Sequence, residues 1–470
     1  MSVLTEIAAI IGEDRVLTGA DAAPFGKDWT GAYTCTPLAV LRPGNTQEVS
    51  AILKIAHRTG TPVVPVSGQT GLTGATLADG ALMLSVDRLN AITDINTARH
   101  TATVGAGVIL SHLHDAADAH DLIFPLTLGA RGSAMIGGLL STNAGGSNVV
   151  RYGSTRGLCL GLEVVMADGR IMNLMSALHK DNSGLDLRNL IIGAEGTLGI
   201  ITAAVLKLRP KPQAYATAMI AVRSLSDALT LLNRLQTKTG YGVEAFEYMP
   251  RNYIDKHQEL FPDVRPPFEA SYDVNIMIEV AAVMDRDAVT NAEGETPVVR
   301  MLEDILGQML EDGHLLDAVI AQNDAQRRDI WKRREDAGEV AFFGGHFVNT
   351  DVALPLDKIA AFEAALTPRI KAIDPDASEV IVAHLGDGNI HHTSYISRND
   401  PAAMDALVEA VEDVVQELGG SFSAEHGIGV SKLETMKRRK DPVALDAMRA
   451  IKAALDPKGI LNPGKVIPPA

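Results

Sequence analysis

Glycine is concentrated in two stretches of the first half of the chain, and no other feature constrains the fold as strongly. Residues 129–157 contain eight glycines in 29 positions, against 42 glycines in all 470 residues. A second cluster places Gly68, Gly71 and Gly74 at three-residue intervals directly after the apolar run PVVPV. Consecutive backbone N–H groups in such turns can converge on a diphosphate, and the backbone can approach a ligand closely. The two clusters predict a dinucleotide-binding module, although a structural turn explains the second cluster alone equally well.

The runs around these clusters predict an α+β protein. Up to Leu208, short β-like runs such as PVVPV, ALMLSV, TATVGAGV and GIITAAVLKL alternate with glycine-rich turns. The prolines and bases of RPKPQ, at 209–213, indicate a boundary. Beyond it, helical patterns at 298–313, 356–373 and 401–420 alternate with strand-like runs, which is typical of a sheet covered by helices. A chain of this length should form two or three domains. We place them at 1–213, 214–416 and 417–470.

The charge balance limits the partners and the compartment. The chain has 42 Lys and Arg residues against 58 Asp and Glu residues, which gives a net charge of -16 at pH 7. This charge repels phosphate backbones, so nucleic acid is not an expected partner, and an anionic substrate needs a local basic or metal site. The N-terminal segment lacks the basic start of a secretory signal, and the apolar runs are too interrupted to span a membrane. We therefore expect a cytoplasmic protein. The two cysteines, Cys35 and Cys159, support neither a disulfide framework nor a cysteine metal site.

A group of histidines follows the strand-like run EVIVA. In HLGDGNIHH, at 384–392, the dipeptide DG is typical of a two-residue type I′ hairpin turn. Such a turn would place His384 directly opposite His391, with Cβ atoms roughly 5 Å apart on one face of the sheet. His392 would point to the other face, where packing or a hydrogen bond explains it better than metal binding. Two imidazoles at this spacing can share one divalent cation.

A third metal ligand has to come from elsewhere in the chain. The segment AEHGIG offers Glu425 beside His426 in a glycine-flanked loop. Two histidines and one carboxylate leave coordination positions open for a substrate, as a catalytic ion requires. For any single histidine of this set, an ordinary polar loop residue that binds no metal is an equally good explanation.

Four motifs together resemble a known flavoprotein family. They are SGQTGLTG, PLTLGARGSAMIGGLLSTNAGG, KDNSGLDLRNLIIGAEGTLGIIT and GILNPGK. They are similar to those of the FAD-linked oxidases of the vanillyl-alcohol-oxidase and p-cresol-methylhydroxylase type, and within that group to the D-lactate and D-2-hydroxyglutarate dehydrogenases, from about residue 35 onward. The resemblance implies a two-subdomain FAD-binding module, a ferredoxin-like α+β substrate cap with the metal hairpin, and a C-terminal segment that returns to the flavin. No G-x-G-x-x-G follows a strand, which argues against a Rossmann nicotinamide site.

The resemblance also implies which residues bind the cofactor. The diphosphate loop would comprise Ser67, Gly68, Gln69, Thr70, Gly71 and Leu72. The adenosine and isoalloxazine would be lined by Pro125, Gly129, Ser133, Gly137, Asn143, Gly145, Glu195 and Ile200, with Asn462 of ILNPGK contacting the flavin. Some relatives attach FAD through a histidine in the diphosphate loop. Because Gln69 stands in that region of this chain, we expect non-covalent FAD.

For the active site, the resemblance implies that His384, His391 and Glu425 bind a divalent metal, zinc or manganese, and that His426 is the catalytic base. The metal would hold a small anionic D-2-hydroxy acid and lower the pKa of its C2 hydroxyl. His426 would accept the hydroxyl proton, and the C2 hydrogen would leave as hydride to flavin N5. Electrons would pass to a non-nicotinamide acceptor such as an electron-transfer flavoprotein, a quinone or a cytochrome. A homodimer is compatible with these expectations.

The substrate-binding residues follow the resemblance only in part. Arg334 in DIWKRREDAGE matches the family's carboxylate-binding arginine, and its planar fork suits that role, although the surrounding charges also fit a solvated helix face. Asn349 and Thr393 stand where the 2-hydroxyglutarate enzymes carry a lysine and an asparagine that grip the distal carboxylate. These departures favour D-lactate or another short hydroxy acid, whereas AFEYM, at 245–249, looks more like the hydroxyglutarate branch.

Two alternatives to an independent dehydrogenase stay open. The chain is compatible with a flavin-bearing subunit of a glycolate-oxidising complex. It is also compatible with a flavoenzyme similar to alkylglycerone-phosphate synthase, which performs no net oxidation. The compact histidine hairpin favours the dehydrogenase.

Overall fold

The computed structural model describes residues 2–469, which divide into two units by the contacts between their Cα atoms. Unit 1 comprises the residues up to Gly145, Gly153–Pro210 and the residues from His426 onward, and unit 2 comprises Gly146–Tyr152 and Lys211–Glu425. Both units contain helices and strands, which confirms the predicted α+β class. The domain limits predicted at 213 and 416 stay predictions. Within residues 2–469, no helix combines the length and the apolarity needed to cross a membrane.

The elements are numbered along the chain. The strands are β1 Val16–Leu17, β2 Ala39–Leu41, β3 Val63–Val66, β4 Leu82–Ser85, β5 Ile92–Asn96, β6 Thr101–Gly105, β7 Leu122–Ile123, β8 Cys159–Val165, β9 Ile171–Leu174, β10 Ile200–Lys207, β11 Arg209–Pro210, β12 Ala214–Val222, β13 Val243–Tyr248, β14 Val274–Ala282, β15 Leu315–Ile320, β16 His346–Ala353, β17 Ser378–His384 and β18 Asn389–Ile396. The α-helices are α1 Val3–Ile11, α2 Thr46–Thr59, α3 Leu110–Asp118, α4 Ile136–Thr142, α5 Val149–Tyr152, α6 Thr155–Leu158, α7 Leu187–Ile191, α8 Leu225–Thr239, α9 Arg251–Leu260, α10 Asp285–Ala288, α11 Pro297–Glu311, α12 Asp324–Glu335, α13 Ala337–Ala341, α14 Ile359–Ile373, α15 Pro401–Glu417, α16 Leu433–Arg439 and α17 Pro442–Leu455. Short 3-10 helices lie at Glu13–Arg15, Gly19–Asp21, Ala23–Gly26 and Leu356–Lys358.

Unit 1 is built around two larger sheets. Strands β2, β4 and β3 run parallel, with β1 antiparallel to β2, and a second sheet has the antiparallel order β5-β6-β10-β8-β9. The outer edge of β3 is filled by residues from far downstream. The N–H of Val63 donates to the carbonyl of Ile460, and the N–H of Asn462 donates to the carbonyl of Val63, both at 2.8 Å. The glycine-rich loop after β3 therefore leaves a strand that is paired on both sides.

Unit 2 is organised by one antiparallel sheet of seven strands, in the order β15-β12-β14-β13-β17-β18-β16. One face packs against α8, α11, α14 and α15 around a large apolar core. The other face packs against α9, α12 and α13 around a smaller core. Because side chains alternate along a strand, β13 gives Phe246 and Tyr248 to the first face and Ala245 and Glu247 to the second. The second face carries most of the polar side chains described below.

A buried carboxylate binds the short segment Gly146–Tyr152 to the large sheet of unit 2. Glu244 of β13 accepts hydrogen bonds from Asn148 Nδ2 at 2.7 Å, Arg151 Nη1 at 2.7 Å and Tyr152 Oη at 2.6 Å. A carboxylate with three donors is well satisfied despite its burial. Residues 146–152 of the glycine-rich stretch are therefore anchored on the large sheet.

Candidate active site

The histidine hairpin forms, with a wider turn than the sequence predicts. Strand β17 ends at His384 and β18 begins at Asn389, so four residues connect them. The carbonyl of His384 accepts the N–H of Asp387 at 3.2 Å and of Gly388 at 3.0 Å. His384 therefore pairs with Asn389, and His391 pairs with Val382, which makes the predicted pairing of His384 with His391 wrong by two positions.

The two-position error leaves both imidazoles on the same face, because strand side chains alternate with a period of two. The ring centroids of His384 and His391 are 5.4 Å apart, with the rings nearly perpendicular. His392 points to the opposite face, as predicted, and is fully buried. Its Nε2 lies 3.0 Å from a carboxylate oxygen of Glu379, and Phe362 packs edge-on against its ring. His392 is thus a packed and hydrogen-bonded residue of the helix-covered face.

Glu425 joins the two histidines. One ligand atom each of His384, His391 and Glu425 lies within 4.8 Å of the others. Burial, together with the nearby carboxylate of Asp351, raises the pKa of Glu425 to about 7, although His384 opposes the shift. Burial also raises the pKa of Asp387 to about 6. This crowding of carboxylates and imidazoles at one place fits a divalent cation, whose charge would relieve the repulsion between the acids.

Arg334 is buried beside this cluster, at 8% exposure, on the side of α12 that faces the sheet. Its Nε donates to a carboxylate oxygen of Glu247 at 2.7 Å. The same carboxylate lies 2.8 Å from Nδ1 of His384. Burial alone would raise the pKa of Glu247, but His384 and Arg334 hold it below its ordinary value. The alternative that Arg334 belongs to a solvated helix face is therefore wrong, while its role toward a substrate stays a proposal.

A neutral pair lies next to the histidines along the same face. Strands β16 and β18 pair Asp351 with His391 and, two residues along, Asn349 with Thr393. Asn349 Nδ2 donates to Thr393 Oγ1 at 2.8 Å. Asn349 and Thr393, which differ from the residues of the 2-hydroxyglutarate enzymes, therefore form a hydrogen bond with each other, and neither is charged.

The loop that carries His426 is held by a buried carboxylate within unit 1. Glu195 accepts the backbone N–H groups of Ile428 at 2.7 Å and Gly429 at 2.9 Å. Gly427 has a φ of +79°, and a Cβ there would lie 2.7 Å from the Glu195 carboxylate. Thr73, from the loop after β3, accepts the N–H of Val430 through its carbonyl at 2.9 Å. The side chain of Glu195, which the resemblance assigns to the cofactor, thus supports the His426 loop.

The glycine-rich loops leave backbone open for a ligand. A Cβ placed on Gly71, Gly129 or Gly132 would meet no atom within 4 Å. Gln69 adopts a left-handed conformation, with a φ of 52°, and its Nε2 donates to the carbonyl of Phe25 at 3.0 Å. Loops of this kind can present N–H groups to a diphosphate.

Asn462 is a second feature, after the glycine-rich loops, that fits a cofactor site. It is 2% exposed, and its Nδ2 donates to the carbonyls of Glu195 at 2.7 Å and Ala75 at 3.1 Å. Its Oδ1 is buried without a hydrogen-bond partner among the described residues. A buried acceptor without a partner costs free energy, so a ligand donor fits this position. The glycine loops and Asn462 together fit FAD.

The other predicted cofactor residues lie in the framework around these loops. Asn143 ends α4 in the left-handed conformation, and its Oδ1 accepts the N–H of Arg156 at 2.9 Å. Ser67 Oγ accepts the N–H of Gly138 at 3.2 Å, which joins the two glycine clusters. The remaining predicted positions are the buried Pro125, Gly137, Gly145 and Ile200, the half-buried Gly68, Thr70 and Leu72, and the exposed Ser133.

Sequence reasoning missed Glu247 and Asp351. Both are buried acids in strands of the large sheet, at 1% exposure each. A signal was present, because an acid within a buried strand needs a partner. The partner of Glu247 is 137 residues away in sequence, at His384, so the pattern of one strand cannot reveal it.

Comparison with known proteins agrees with this picture. The family described as FAD linked oxidases, C-terminal domain, matches residues 211–466, and the FAD binding domain matches residues 37–175. The D-2-hydroxyglutarate dehydrogenase of Xanthomonas citri pv. viticola is 36% identical, over 95% of this chain and 93% of that protein. The mitochondrial D-2-hydroxyglutarate dehydrogenase of Arabidopsis thaliana is 35% identical, over 98% of this chain and 80% of that protein.

A solved structure confirms the predicted fold. p-Cresol methylhydroxylase with substrate bound has a TM-score of 0.74 at 15% identity, and covers 99% of this chain and 96% of its own. At that identity the likeness concerns the fold alone. The motifs, the two matched domains and the two relatives point to the same group. The chain therefore belongs to the FAD-linked oxidase family and is an FAD-dependent oxidoreductase.

Proposed function

We propose that this protein oxidises a D-2-hydroxy acid to the 2-oxo acid with FAD and a divalent metal, and that D-2-hydroxyglutarate is its substrate. The observation that carries the proposal is the cluster of His384, His391 and Glu425, whose ligand atoms lie within 4.8 Å of one another beside the buried Arg334. The two relatives at 35 and 36% identity are both named D-2-hydroxyglutarate dehydrogenases, which supports the substrate.

His384, His391 and Glu425 would hold the cation, zinc or manganese. The cation would supply Lewis acidity that lowers the pKa of the substrate's C2 hydroxyl. The set of two imidazoles and a carboxylate suits either ion, since both accept nitrogen and oxygen ligands. Arg334 would bind the substrate carboxylate. Its Nε is occupied by Glu247, so its two Nη groups would form the contact and the pair with Glu247 would fix their direction.

His426 would accept the proton of the C2 hydroxyl. Its loop is suited to this task because Glu195 and Thr73 fix the backbone on both sides of Gly427. Non-covalent FAD, held by residues 67–72 and by Asn462, would supply the hydride acceptor. An electron-transfer flavoprotein, a quinone or a cytochrome would then reoxidise the enzyme.

A short D-2-hydroxy acid such as D-lactate is the second candidate substrate. The neutral pair of Asn349 and Thr393 favours it, because this pair offers no positive charge to a second carboxylate. The two other candidate functions, a subunit of a glycolate-oxidising complex and an enzyme similar to alkylglycerone-phosphate synthase, have less support, since both near-full-length relatives are named as dehydrogenases.

Anaerobic mixing of the purified enzyme with single substrates tests the proposal. The substrates are the D- and L-forms of 2-hydroxyglutarate and lactate, together with glycolate, and the signal is bleaching of the flavin absorbance. We expect rapid bleaching by D-2-hydroxyglutarate and none by the L-forms. Faster bleaching by D-lactate would favour the second candidate. Bleaching by glycolate alone, or by none of the five, would contradict the proposal.

A further inference from the structure

We propose that Glu247 is a positioning residue for the metal site, and that it keeps Nε2 of His384 available to the cation by holding a proton on Nδ1. This role rests on the metal site proposed above. Glu247 is 1% exposed, and its two carboxylate oxygens lie 3.0 and 2.8 Å from Nδ1 of His384. A carboxylate accepts hydrogen bonds, so Nδ1 donates and the lone pair of the ring is at Nε2.

The contact of Arg334 with the same ring does not compete for that lone pair. Nη2 of Arg334 lies 3.4 Å from Nδ1 and 3.2 Å from Nε2 of His384. An atom on the lone-pair axis of Nε2 would be much farther from Nδ1 than from Nε2, because that axis points away from the ring. Nearly equal distances place Nη2 over the ring or beside its Cε1 edge. Glu247 thus binds Arg334 and His384 at once and leaves Nε2 open.

A second buried pair of a glutamate and an arginine resembles Glu247 and Arg334 but does not include a histidine. Glu279, on the neighbouring strand β14, is 2% exposed and forms two bonds of 2.7 Å with Arg327. Arg327 and Arg334 are seven residues apart on α12, which is two helical turns, so they project on the same side of the helix. Both acids therefore join the sheet to α12 through an arginine. The further bonds of Glu279 go to Trp331 and Thr217, while that of Glu247 goes to His384.

The substitution Glu247→Gln tests the role with little change of shape. An amide offers one acceptor and one donor group, whereas both partners of Glu247 are donors. In the variant, either the amide oxygen faces Nδ1, which loses the bond to Arg334 and the negative charge that makes Nε2 a stronger ligand, or Nδ1 of His384 accepts a hydrogen bond from the amide and Nε2 carries the ring proton. The second arrangement blocks metal binding. Loss of a carboxylate partner of this kind typically weakens metal affinity 10- to 100-fold.

Metal binding can be measured without turnover. Chelator-treated holoenzyme is titrated with Mn²⁺, and free Mn²⁺ is counted by its electron paramagnetic resonance signal. We expect Glu247→Gln to raise the dissociation constant about 10- to 100-fold, while Glu279→Gln binds Mn²⁺ like the wild type even though both variants lose a buried ion pair and have a lower Tm. Equal Mn²⁺ affinity in Glu247→Gln and wild type would overturn the proposal, as would an equal loss in Glu279→Gln. If the wild type takes up no Mn²⁺ or Zn²⁺, the metal site itself is wrong, and Glu247 has no such role; substrate-driven flavin bleaching would still test the oxidation separately.

Discussion

Glu195 and Ile428 are 233 residues apart in sequence, yet the carboxylate of Glu195 accepts the N–H of Ile428 at 2.7 Å. Two positions before Ile428 lies His426, the proposed base. A buried carboxylate that accepts two consecutive backbone N–H groups fixes the direction of the chain there. The position of His426 thus depends on the side chain of Glu195, from another part of unit 1.

The substitution Glu195→Gln should therefore lower kcat without removing the flavin. The amide keeps one acceptor, but its NH₂ group would face one of the N–H groups of Ile428 and Gly429, so the loop has to shift. A displacement of about 1 Å at a catalytic group can cost about 10²-fold in rate. The measurement is kcat with D-2-hydroxyglutarate together with flavin content. An unchanged kcat would show that the loop holds His426 without this carboxylate.

Metal binding and proton transfer should separate in two alanine variants. His384→Ala should lose the metal and, with it, substrate-driven flavin reduction. His426→Ala should keep the metal and still lose about 10²- to 10⁴-fold in kcat, because the proton acceptor is gone. Metal analysis and anaerobic flavin reduction are to be measured on the same preparations. Full-rate reduction in metal-free His384→Ala would contradict the metal-assisted reaction, and normal turnover by His426→Ala would remove that residue from the proposed role.

Arg334→Lys keeps the positive charge and loses the planar fork. Lysine cannot bind Glu247 through one nitrogen and a substrate carboxylate through two others, so KM should rise and kcat/KM should fall roughly 10- to 100-fold. Steady-state kinetics check this, with Arg328→Lys, an exposed position of the same helix, as the control. Wild-type kinetics in Arg334→Lys would assign the arginine to structure alone.

Asn349→Lys should shift the choice of substrate toward a second carboxylate. The new ammonium group would stand opposite Thr393, two residues from His391 on the same strand. We expect the ratio of kcat/KM for D-2-hydroxyglutarate to that for D-lactate to rise about tenfold, which corresponds to about 1.4 kcal/mol. The control is Asn349→Met, because methionine is similar in size to lysine but uncharged. An unchanged ratio in Asn349→Lys would mean that this position does not face the distal end of the substrate.

Glu363 should make the stability of the protein depend on pH near neutrality. Burial, with a smaller contribution from Glu379, raises the pKa of Glu363 from 4.5 to about 7, and its Oε1 is buried without a hydrogen-bond partner among residues 2–469. A carboxyl whose pKa is higher in the folded state binds its proton more tightly there. The free energy of unfolding therefore falls as the pH rises from about 4.5 to about 7.

Glu363→Gln removes this titration. The variant should be more stable than the wild type by up to about 3 kcal/mol above pH 7, and the difference should shrink toward pH 4.5. Urea unfolding at several pH values measures it, with the exposed Glu293→Gln as the control. A difference that does not change with pH would contradict the raised pKa.

Sequence patterns predict the histidine hairpin in part, and the reason for the error is local. The dipeptide Asp387-Gly388 favours a two-residue turn, but the carbonyl of His384 accepts two N–H groups and widens the connection to four residues. The face of each histidine is predicted correctly because alternation tolerates a shift of two. The cofactor module is recognisable for a different reason, since its four glycine-containing motifs are similar to those of the FAD-linked oxidases.

The supporting acids are not predictable in the same way. Glu247 and Asp351 contact residues of other strands, and Glu195 contacts a loop more than 200 positions away. Hydrophobic alternation tells which face an acid lies on, and it carries no information on the neighbouring strand. The order of the seven strands in unit 2 is needed before the contacts of Glu247 and Asp351 can be seen.

The pairing of β3 with residues 460–462 has a consequence for synthesis on the ribosome. Because synthesis runs from the N-terminal to the C-terminal side, Val63 cannot make its two bonds to Ile460 and Asn462 until nearly 400 further residues have been translated. All seven strands of the large sheet of unit 2 precede Glu425 in the sequence. β3 is thus synthesised before the large sheet of unit 2, and one of its edges stays unpaired until residues 460–462 have been translated.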